Sequence, residues 1–220
     1  VKFKEGIDAK IPPAAQTGMS AEMKAGIIHN LGLAEARCII TGAAPCPRDV
    51  QNWFIDLGVA LRDGYGMTEN FIHGCFWTHN DQPKAGCVGR PVATVELKLS
   101  DAGEVLFRSK GLMKGYYKEP GKTAEAIVDG WYHTGDSGRI DEDGCLWITG
   151  RISEVFKTTK GKFVRPTDLE SHVGRCPLWS QYCVLGQGLD QPAVLVSLSK
   201  TEKKLERATL EIQLGAVLDQ

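Results

Sequence analysis

The fold is decided by residues 36–66, which read ARCIITGAAPCPRDVQNWFIDLGVALRDGYG. The short apolar run at 36–41 predicts a β-strand, and the small residues that follow at 42–45 predict a tight turn. Between Pro47 and Gly58, apolar residues recur with the spacing of a helix that buries one face. A second apolar run at 59–61 predicts another strand, with the next turn beginning at Asp63.

The two strands of this unit are expected to run parallel, because a helical crossover returns the chain to the same end of the sheet. The loops 42–45 and 63–69 then both leave the carboxyl ends of strands. Loops in this position lie at the sheet edge where open α/β folds bind their ligands. The sequence therefore predicts a ligand site formed by these two loops.

The segments on either side complete the predicted fold. Upstream, residues 1–19 are interpreted as loop, and Ser20 can cap a helix that runs to Leu31 and buries Met23, Ile27 and Leu31. Downstream of residue 86, the two-residue periodicity of antiparallel strands takes over, with one hairpin at 95–107 and another at 137–149. A short helix is predicted at 123–128, and a charged helix is predicted at about 200–214, after a capping-box pattern.

The predicted class is α/β: a parallel-sheet portion, then an antiparallel, barrel-like portion, then part of a small α+β domain. The expected divisions are 1–86 for the end of a large α/β domain, 87–150 for an antiparallel β subdomain, and 151–220 for the start of a C-terminal domain.

The composition of the 220 residues is that of a globular protein, with 42% hydrophobic and 24% charged residues. The net charge of −1 disfavours a nucleic-acid partner. No apolar run approaches the roughly 18 residues that cross a bilayer, and no secretory signal is visible at the first residues. Seven cysteines without a C-x-x-C pair predict reduced thiols and a cytoplasmic protein.

Two loops at the predicted sheet edge carry candidate chemistry. Gly42-Ala43-Ala44-Pro45 would let a planar ligand approach the backbone, although a tight turn needs the same small residues. Asp63-Gly64-Tyr65-Gly66-Met67-Thr68-Glu69 would expose an aromatic ring and backbone N–H groups, a hydroxyl for a phosphate, and a carboxylate of the kind that Mg²⁺ prefers. A turn followed by a helix cap would use similar residues, but the two loops together favour a nucleotide pocket.

Two further segments add polar and basic groups. His133-Thr134-Gly135-Asp136 is interpreted as a turn whose carboxylate could accept two ribose hydroxyls, or as a simple hairpin entry. Residues 150–165 carry an excess of positive charge that suits a phosphorylated cofactor, although a solvated loop would look the same. The five histidines share no metal-ligand spacing, so no metal cage is expected. The aromatic and aliphatic residues at 71, 72, 76 and 77 are interpreted as core rather than as an apolar tunnel.

The ordered set of motifs resembles that of the adenylate-forming ligases, the superfamily of acyl-CoA synthetases, luciferases and peptide-synthetase adenylation domains. Besides the two loops, the resemblance rests on Gly103-Glu104-Val105, Gly115-Tyr116-Tyr117, His133-Thr134-Gly135-Asp136 and Gly150-Arg151, in family order across residues 36–200. The stretch 156–162, FKTTKGK, with Pro166 and Glu170 after it, is most similar to long-chain fatty acyl-CoA synthetases.

The resemblance implies a two-step reaction: a carboxylate and ATP give acyl-AMP and pyrophosphate, and the acyl group then passes to CoA. The partners implied are a fatty acid or other carboxylate, ATP, Mg²⁺ and CoA, with peripheral membrane contact through regions outside this chain left open. Two alternatives also stay open. One is a non-catalytic nucleotide- or acyl-binding module, and the other is a ligase that delivers its acyl-AMP to a carrier protein.

The resemblance also implies a role for each matched position. Ala43 and Ala44 would lie along the adenine, Tyr65 would stack on its other face, and Asp63 or its backbone would meet its edge. The implied catalytic residues are Thr68 at the phosphate, Glu69 holding Mg²⁺, and Arg151 at the ribose or phosphate. The implied cofactor-binding residues are Gly42, Ala43, Ala44, Pro45, Asp63, Gly64, Tyr65, Gly66, Met67, Thr68, Asp136, Arg151, Lys160, Gly161 and Lys162.

The chain departs from the family pattern in three places. The family's phosphate loop and its C-terminal adenylation lysine have no counterpart in these residues, so the chain is expected to be a truncated piece that is inactive by itself. The family's hinge, about which the small C-terminal domain swings so that 158–162 meets the pantetheine of CoA, would fall at Ser153 or Glu154.

Overall fold

The computed structural model describes residues 18–174 and 178–198. The described residues form two compact units, one of residues 18–134 with 138–148, the other of residues 135–137 with the described residues from 149 onward. The loop expected before residue 18 and the helix expected at 200–214 lie outside the described residues. The sequence-based divisions at residues 86 and 150 stay predictions.

The first unit opens with helix α1 (Ala21–Asn30), whose cap is the predicted one: Ser20 Oγ accepts the Met23 N–H at 3.3 Å. The helix ends before Gly32, which has a φ of 72°. Of the face predicted to be buried, Ile27 and Leu31 pack on the core, but Met23 is half exposed and that part of the prediction is wrong. Ile28 packs there instead, because the contact surface covers the last turns of the helix rather than its whole length.

The predicted strand–helix–strand unit follows as β1 (Ile39–Thr41), α2 (Arg48–Asp56) and β2 (Leu61–Asp63). β1 and β2 pair in parallel, with Thr41 opposite Asp63, which confirms the predicted direction. β2 begins two residues later than the sequence indicates, so Asp63 ends the strand rather than beginning the turn. The apolar face of α2 packs beneath this pair through Trp53 and Leu57.

Short strands β3 (Cys75–Phe76) and β4 (Arg90–Pro91) pair antiparallel and lead into a larger sheet. That sheet has five strands, β5–β9, in the order β5-β6-β8-β7 with β9 beside β8. The elements of this region are β5 (Val95–Leu99), β6 (Glu104–Ser109), helix α3 (Pro120–Ala126), β7 (Ile127–Val128), β8 (Trp131–Ile140) and β9 (Leu146–Arg151). The fold is thus mixed α/β with a sheet that curls as a half-barrel.

The core of this sheet is apolar and closely packed. Val105, Phe107 and Leu146 are fully buried against one another, together with Cys75. Burial also raises the pKa of the Cys87 thiol to about 12, so this buried thiol stays protonated near neutral pH and is a packing group rather than a nucleophile.

Two sequence predictions in this region need correction. The short helix begins at Pro120, three residues earlier than predicted, because proline suits the first helical turn and residues 127–128 pair with β8 instead. The segment 133–136 is not a turn: it lies inside β8, where Tyr132, Thr134 and Asp136 are buried in alternation. Within this strand, Gly135 has a φ of 71°, a backbone conformation that glycine adopts without strain.

The second unit contains a hairpin, a helix and another hairpin. After a 3-10 turn at Ile152–Glu154, strands β10 (Phe156–Lys157) and β11 (Phe163–Val164) pair antiparallel. Helix α4 (Pro166–Val173) then packs against the hairpin of β12 (Trp179–Leu185) and β13 (Ala193–Leu198). Glu170 ties the helix to this hairpin by accepting the Val184 N–H at 2.9 Å.

Across the described residues, no helix combines the length and the apolar character that a bilayer crossing requires.

Candidate functional site

The two loops singled out in the sequence meet at the carboxyl ends of β1 and β2. The Gly64 N–H donates to the Thr41 carbonyl at 3.1 Å, and a Cβ on Gly42 would lie 3.2 Å from the Gly64 carbonyl oxygen. Residues 42–45 are exposed, and Ala43 adopts a φ of 66°, which is rare for a residue with a side chain. A backbone held in a sparsely populated conformation at a sheet edge is typical of a binding loop.

The glycines of the second loop are explained by packing. A Cβ on Gly64 would lie 2.4 Å from the Phe76 ring, and one on Gly66 would lie 2.5 Å from the Ile72 carbonyl oxygen. The backbone N–H groups of Gly64, Tyr65 and Met67 all donate within the protein. The expectation that this loop exposes its backbone N–H groups is therefore wrong at these three positions. Any nucleotide bound by the 63–69 loop must therefore rely on side chains rather than on these three backbone N–H groups.

Asp63 is buried, and a residue that the sequence analysis missed holds it in place. Gln51, which is only 2% exposed, donates from Nε2 to Asp63 Oδ2 at 3.0 Å, and its Oε1 accepts the Gly86 N–H. Burial raises the pKa of Asp63, and the donors Gln51, Gly64 and Cys46 partly offset that effect. The apolar spacing of α2 gives no sign of a buried amide.

The Thr68–Asn70 segment forms a 3-10 turn that orients Glu69. Asn70 is fully buried, and its side-chain Oδ1 accepts the Met67 N–H at 2.9 Å, which fixes the start of the turn. Glu69 is half-buried, and its Oε1 accepts a hydrogen bond from the Tyr116 hydroxyl at 2.9 Å. Thr68, the predicted phosphate contact, is exposed beside it.

The donor set around Glu69 suits a Mg²⁺ ion that arrives with a phosphate. Within the described residues, no group of three or more His, Cys, Asp or Glu side chains could hold a metal ion. Mg²⁺ keeps several waters and is usually bound by one or two carboxylates plus substrate phosphates rather than by a protein cage. A single half-buried carboxylate therefore fits this mode of binding.

Phe71 and Ile72 do not belong to the core, contrary to the interpretation from the sequence. Phe71 is 85% exposed and Ile72 is 63% exposed, and both have positive φ angles, 56° and 60°. Trp77 is buried, as interpreted, and donates from Nε1 to the Cys87 carbonyl at 3.0 Å. The segment turns sharply because the Ile72 N–H returns to the Met67 carbonyl at 2.8 Å.

In the second unit, two predicted site residues come together. Arg151 Nε lies 2.9 Å from Asp136 Oδ1, so the carboxylate assigned to the ribose and the guanidinium assigned to ribose or phosphate form an ion pair. Asp136 is buried, whereas the Arg151 side chain is 55% exposed. A Cβ on Gly150 would lie 2.8 Å from Thr167 Oγ1, so glycine is needed where β9 passes helix α4.

The 158–162 segment is the turn of the β10–β11 hairpin. Thr158 is buried, its backbone N–H donates to the Lys162 carbonyl, and its Oγ1 accepts the Lys162 N–H at 3.2 Å. Gly161 has a φ of 83°, and both Lys160 and Lys162 are exposed. The turn thus projects two cations from a well-bonded backbone.

Known proteins resemble this chain in sequence and fold. The chain belongs to the adenylate-forming ligase superfamily: the profile of the AMP-binding enzymes matches residues 10–117. It is 36% identical over 162 residues to the long-chain-fatty-acid–CoA ligase FadD15 of Mycobacterium bovis, covering 74% of this chain and 27% of that protein. It is 34% identical over 171 residues to long chain acyl-CoA synthetase 2 of Arabidopsis thaliana, covering 70% and 26%. The chain spans about a quarter of the length of these relatives.

Solved structures match the fold over most of the chain. The anthranilate CoA ligase AuaEII, in complex with anthranoyl-AMP, has a TM-score of 0.68 at 26% identity, covering 85% of this chain and 39% of that one. A fatty acyl CoA synthetase of Mycobacterium tuberculosis has a TM-score of 0.54 at 26% identity, covering 89% and 42%. The family recognised from the motifs is therefore confirmed.

Proposed function

We propose that this chain is part of an AMP-forming fatty acyl-CoA ligase, in which a carboxylate and ATP form acyl-AMP and the acyl group passes to CoA. The observation that carries this proposal is the contact between the Gly42 and Gly64 loops at the carboxyl ends of parallel strands. That contact brings together the two loops that carry Ala43, Tyr65 and Glu69, to which the resemblance assigns nucleotide binding. The curated relatives, named as fatty-acid and long-chain ligases, support a fatty acid as the carboxylate.

Each side chain would contribute a separate part of the chemistry. Mg²⁺ bound at Glu69 would neutralise charge on the ATP phosphates. Thr68 would donate its hydroxyl to a phosphate oxygen, and Asp136 would accept the ribose hydroxyls while Arg151 offers a guanidinium to ribose or phosphate. Tyr65 would present a ring face to the adenine, and its ring is packed with that of Phe107, whose centroid lies 5.8 Å away.

Lys160, Gly161 and Lys162 would act in the second step. Exposed cations on a turn suit the phosphates and the extended arm of CoA, and Gly161 would let the pantetheine pass close to the backbone. Movement about Ser153 or Glu154, both exposed in the 3-10 turn, would bring this segment into use. We place the protein in the cytoplasm, with residues 1–220 alone inactive and weak in ATP binding.

Carboxylate-dependent exchange of labelled pyrophosphate into ATP by the full native protein tests the first step. Fatty acids should support exchange and Glu69→Gln should abolish most of it, because the amide is a poor Mg²⁺ ligand. Glu125→Gln is the matched control, since Glu125 is an exposed carboxylate on α3. Nucleotide binding without exchange for any carboxylate would favour a non-catalytic module, and acyl transfer to a carrier protein but not to CoA would favour the delivery alternative.

A further inference from the structure

The Gly115-Tyr116-Tyr117 segment makes a contact that its sequence does not reveal. The Tyr116 hydroxyl donates to Glu69 Oε1 at 2.9 Å across 47 residues of sequence. On the same segment of chain, the Met113 N–H donates to the Glu69 backbone carbonyl at 2.7 Å. The 113–116 segment therefore donates hydrogen bonds to both the backbone and the side chain of Glu69.

Tyr116 is itself held rigidly. Its backbone N–H donates to Thr123 Oγ1 at 2.9 Å, and that hydroxyl donates onward to the Glu119 carbonyl at 2.9 Å. Gly115 has a φ of 151°, and a Cβ there would lie 2.7 Å from Thr123 Cγ2. The backbone of Tyr116 is thus hydrogen-bonded to the first turn of α3. This contact fixes the position of the tyrosine before any ligand binds.

We propose that Tyr116 is the positioning residue for the Glu69 carboxylate. By occupying Oε1, the phenol selects one orientation of the carboxylate and leaves Oε2 to bind a divalent cation that accompanies a nucleoside triphosphate. This inference rests on the proposed function, in which Glu69 binds Mg²⁺. A carboxylate held in one orientation loses less conformational freedom on binding the cation, so the affinity for the metal–nucleotide complex rises.

Calorimetry on the full native protein separates this role from a merely structural one. Tyr116→Phe removes only the hydroxyl, and Tyr117→Phe is the matched control because Tyr117 is 86% exposed. We expect Tyr116→Phe to weaken the binding of Mg²⁺·ATP about 10- to 150-fold, the range for losing one hydrogen bond to a charged group. It should leave the binding of metal-free AMP unchanged, because AMP needs no cation at Glu69. Tyr117→Phe should change neither affinity.

Glu69→Gln makes the two possible failures distinguishable. If Glu69→Gln weakens Mg²⁺·ATP binding and Tyr116→Phe does not, the positioning role is refuted while the proposed function stands. Equal weakening of Mg²⁺·ATP and AMP by Tyr116→Phe would also refute it, since a general distortion of the loop would act on both ligands. If the unmodified protein binds neither ligand, the proposed function fails and this inference fails with it.

Discussion

Replacement of Gln51 by leucine tests whether the buried amide holds the Asp63 loop together. Leucine is close in size but can neither donate to Asp63 Oδ2 nor accept the Gly86 N–H. Loss of a hydrogen bond to a charged group and an unpaired, partly buried Gly86 N–H together cost about 2–5 kcal/mol of unfolding free energy. At roughly 2–4 °C per kcal/mol for a chain of this size, the melting temperature should fall by about 5–15 °C.

The pH dependence of this loss has a definite sign. Burial raises the pKa of Asp63 and the Gln51 hydrogen bond lowers it, so Gln51→Leu should raise it further. A carboxyl whose pKa is higher in the folded than in the unfolded chain destabilises the fold when ionised, and acidification removes that penalty. The loss in Gln51→Leu should therefore be largest near neutral pH and should shrink as the pH falls toward the unfolded value, about 3.9.

Urea unfolding monitored by tryptophan fluorescence measures both effects, since Trp53 lies on the same helix and is buried. Asn52→Leu is the control, because Asn52 is the exposed neighbour of Gln51. The reasoning is refuted if Gln51→Leu is as stable as Asn52→Leu at pH 7, or if its deficit grows on acidification.

Four other substitutions test separate parts of the structure. Leu146→Ala should cost about 2–5 kcal/mol of unfolding free energy, measured in urea, because the side chain is fully buried. Asp141 has a pKa held low by indole, backbone and ammonium donors, so the native chain should lose stability as the pH falls below about 4. Asp141→Asn should flatten that loss in an acid-unfolding series. Asp136→Ala should reduce pyrophosphate exchange and acyl-CoA formation alike, by about 30- to several-thousand-fold for two lost hydrogen bonds. Gly161→Val should block acyl-CoA formation and spare pyrophosphate exchange, whereas Gly188→Val, with a similar φ of 76° in open space, should spare both. Equal loss of both half-reactions in Gly161→Val would point to a structural role for that turn.

The sequence by itself determined the elements whose signals are local. Apolar spacing predicted α2, two apolar runs predicted β1 and β2, and the helical crossover between them predicted their parallel pairing. Alternation predicted the β5–β6 hairpin, which pairs Val95 with Ser109 and Leu99 with Val105. Motif order identified the superfamily, because several short motifs in a fixed order are far more specific than any one of them.

Local sequence signals predicted the wrong structure at 133–136, where glycine and aspartate suggested a turn. The 133–136 segment contains turn-forming residues, yet it forms the middle of β8 because its neighbours supply a sheet to pair with and a core for Tyr132 and Thr134. Thr134 Oγ1 donates to the Val105 carbonyl at 2.8 Å, and His133 Nδ1 lies 2.9 Å from Glu104 Oε2. Contacts with another strand outweighed the local turn preference.

Only the tertiary structure decided how the candidate site is assembled. Gln51 with Asp63, Tyr116 with Glu69, and Asp136 with Arg151 are pairs separated by 12, 47 and 15 positions in the chain. Nothing in the residues around Gln51 or Tyr116 indicates a polar partner, because residue spacing encodes which side of an element is buried and not what lies opposite. The partner depends on strand register and on where a distant segment crosses, and both are set by packing across the whole unit.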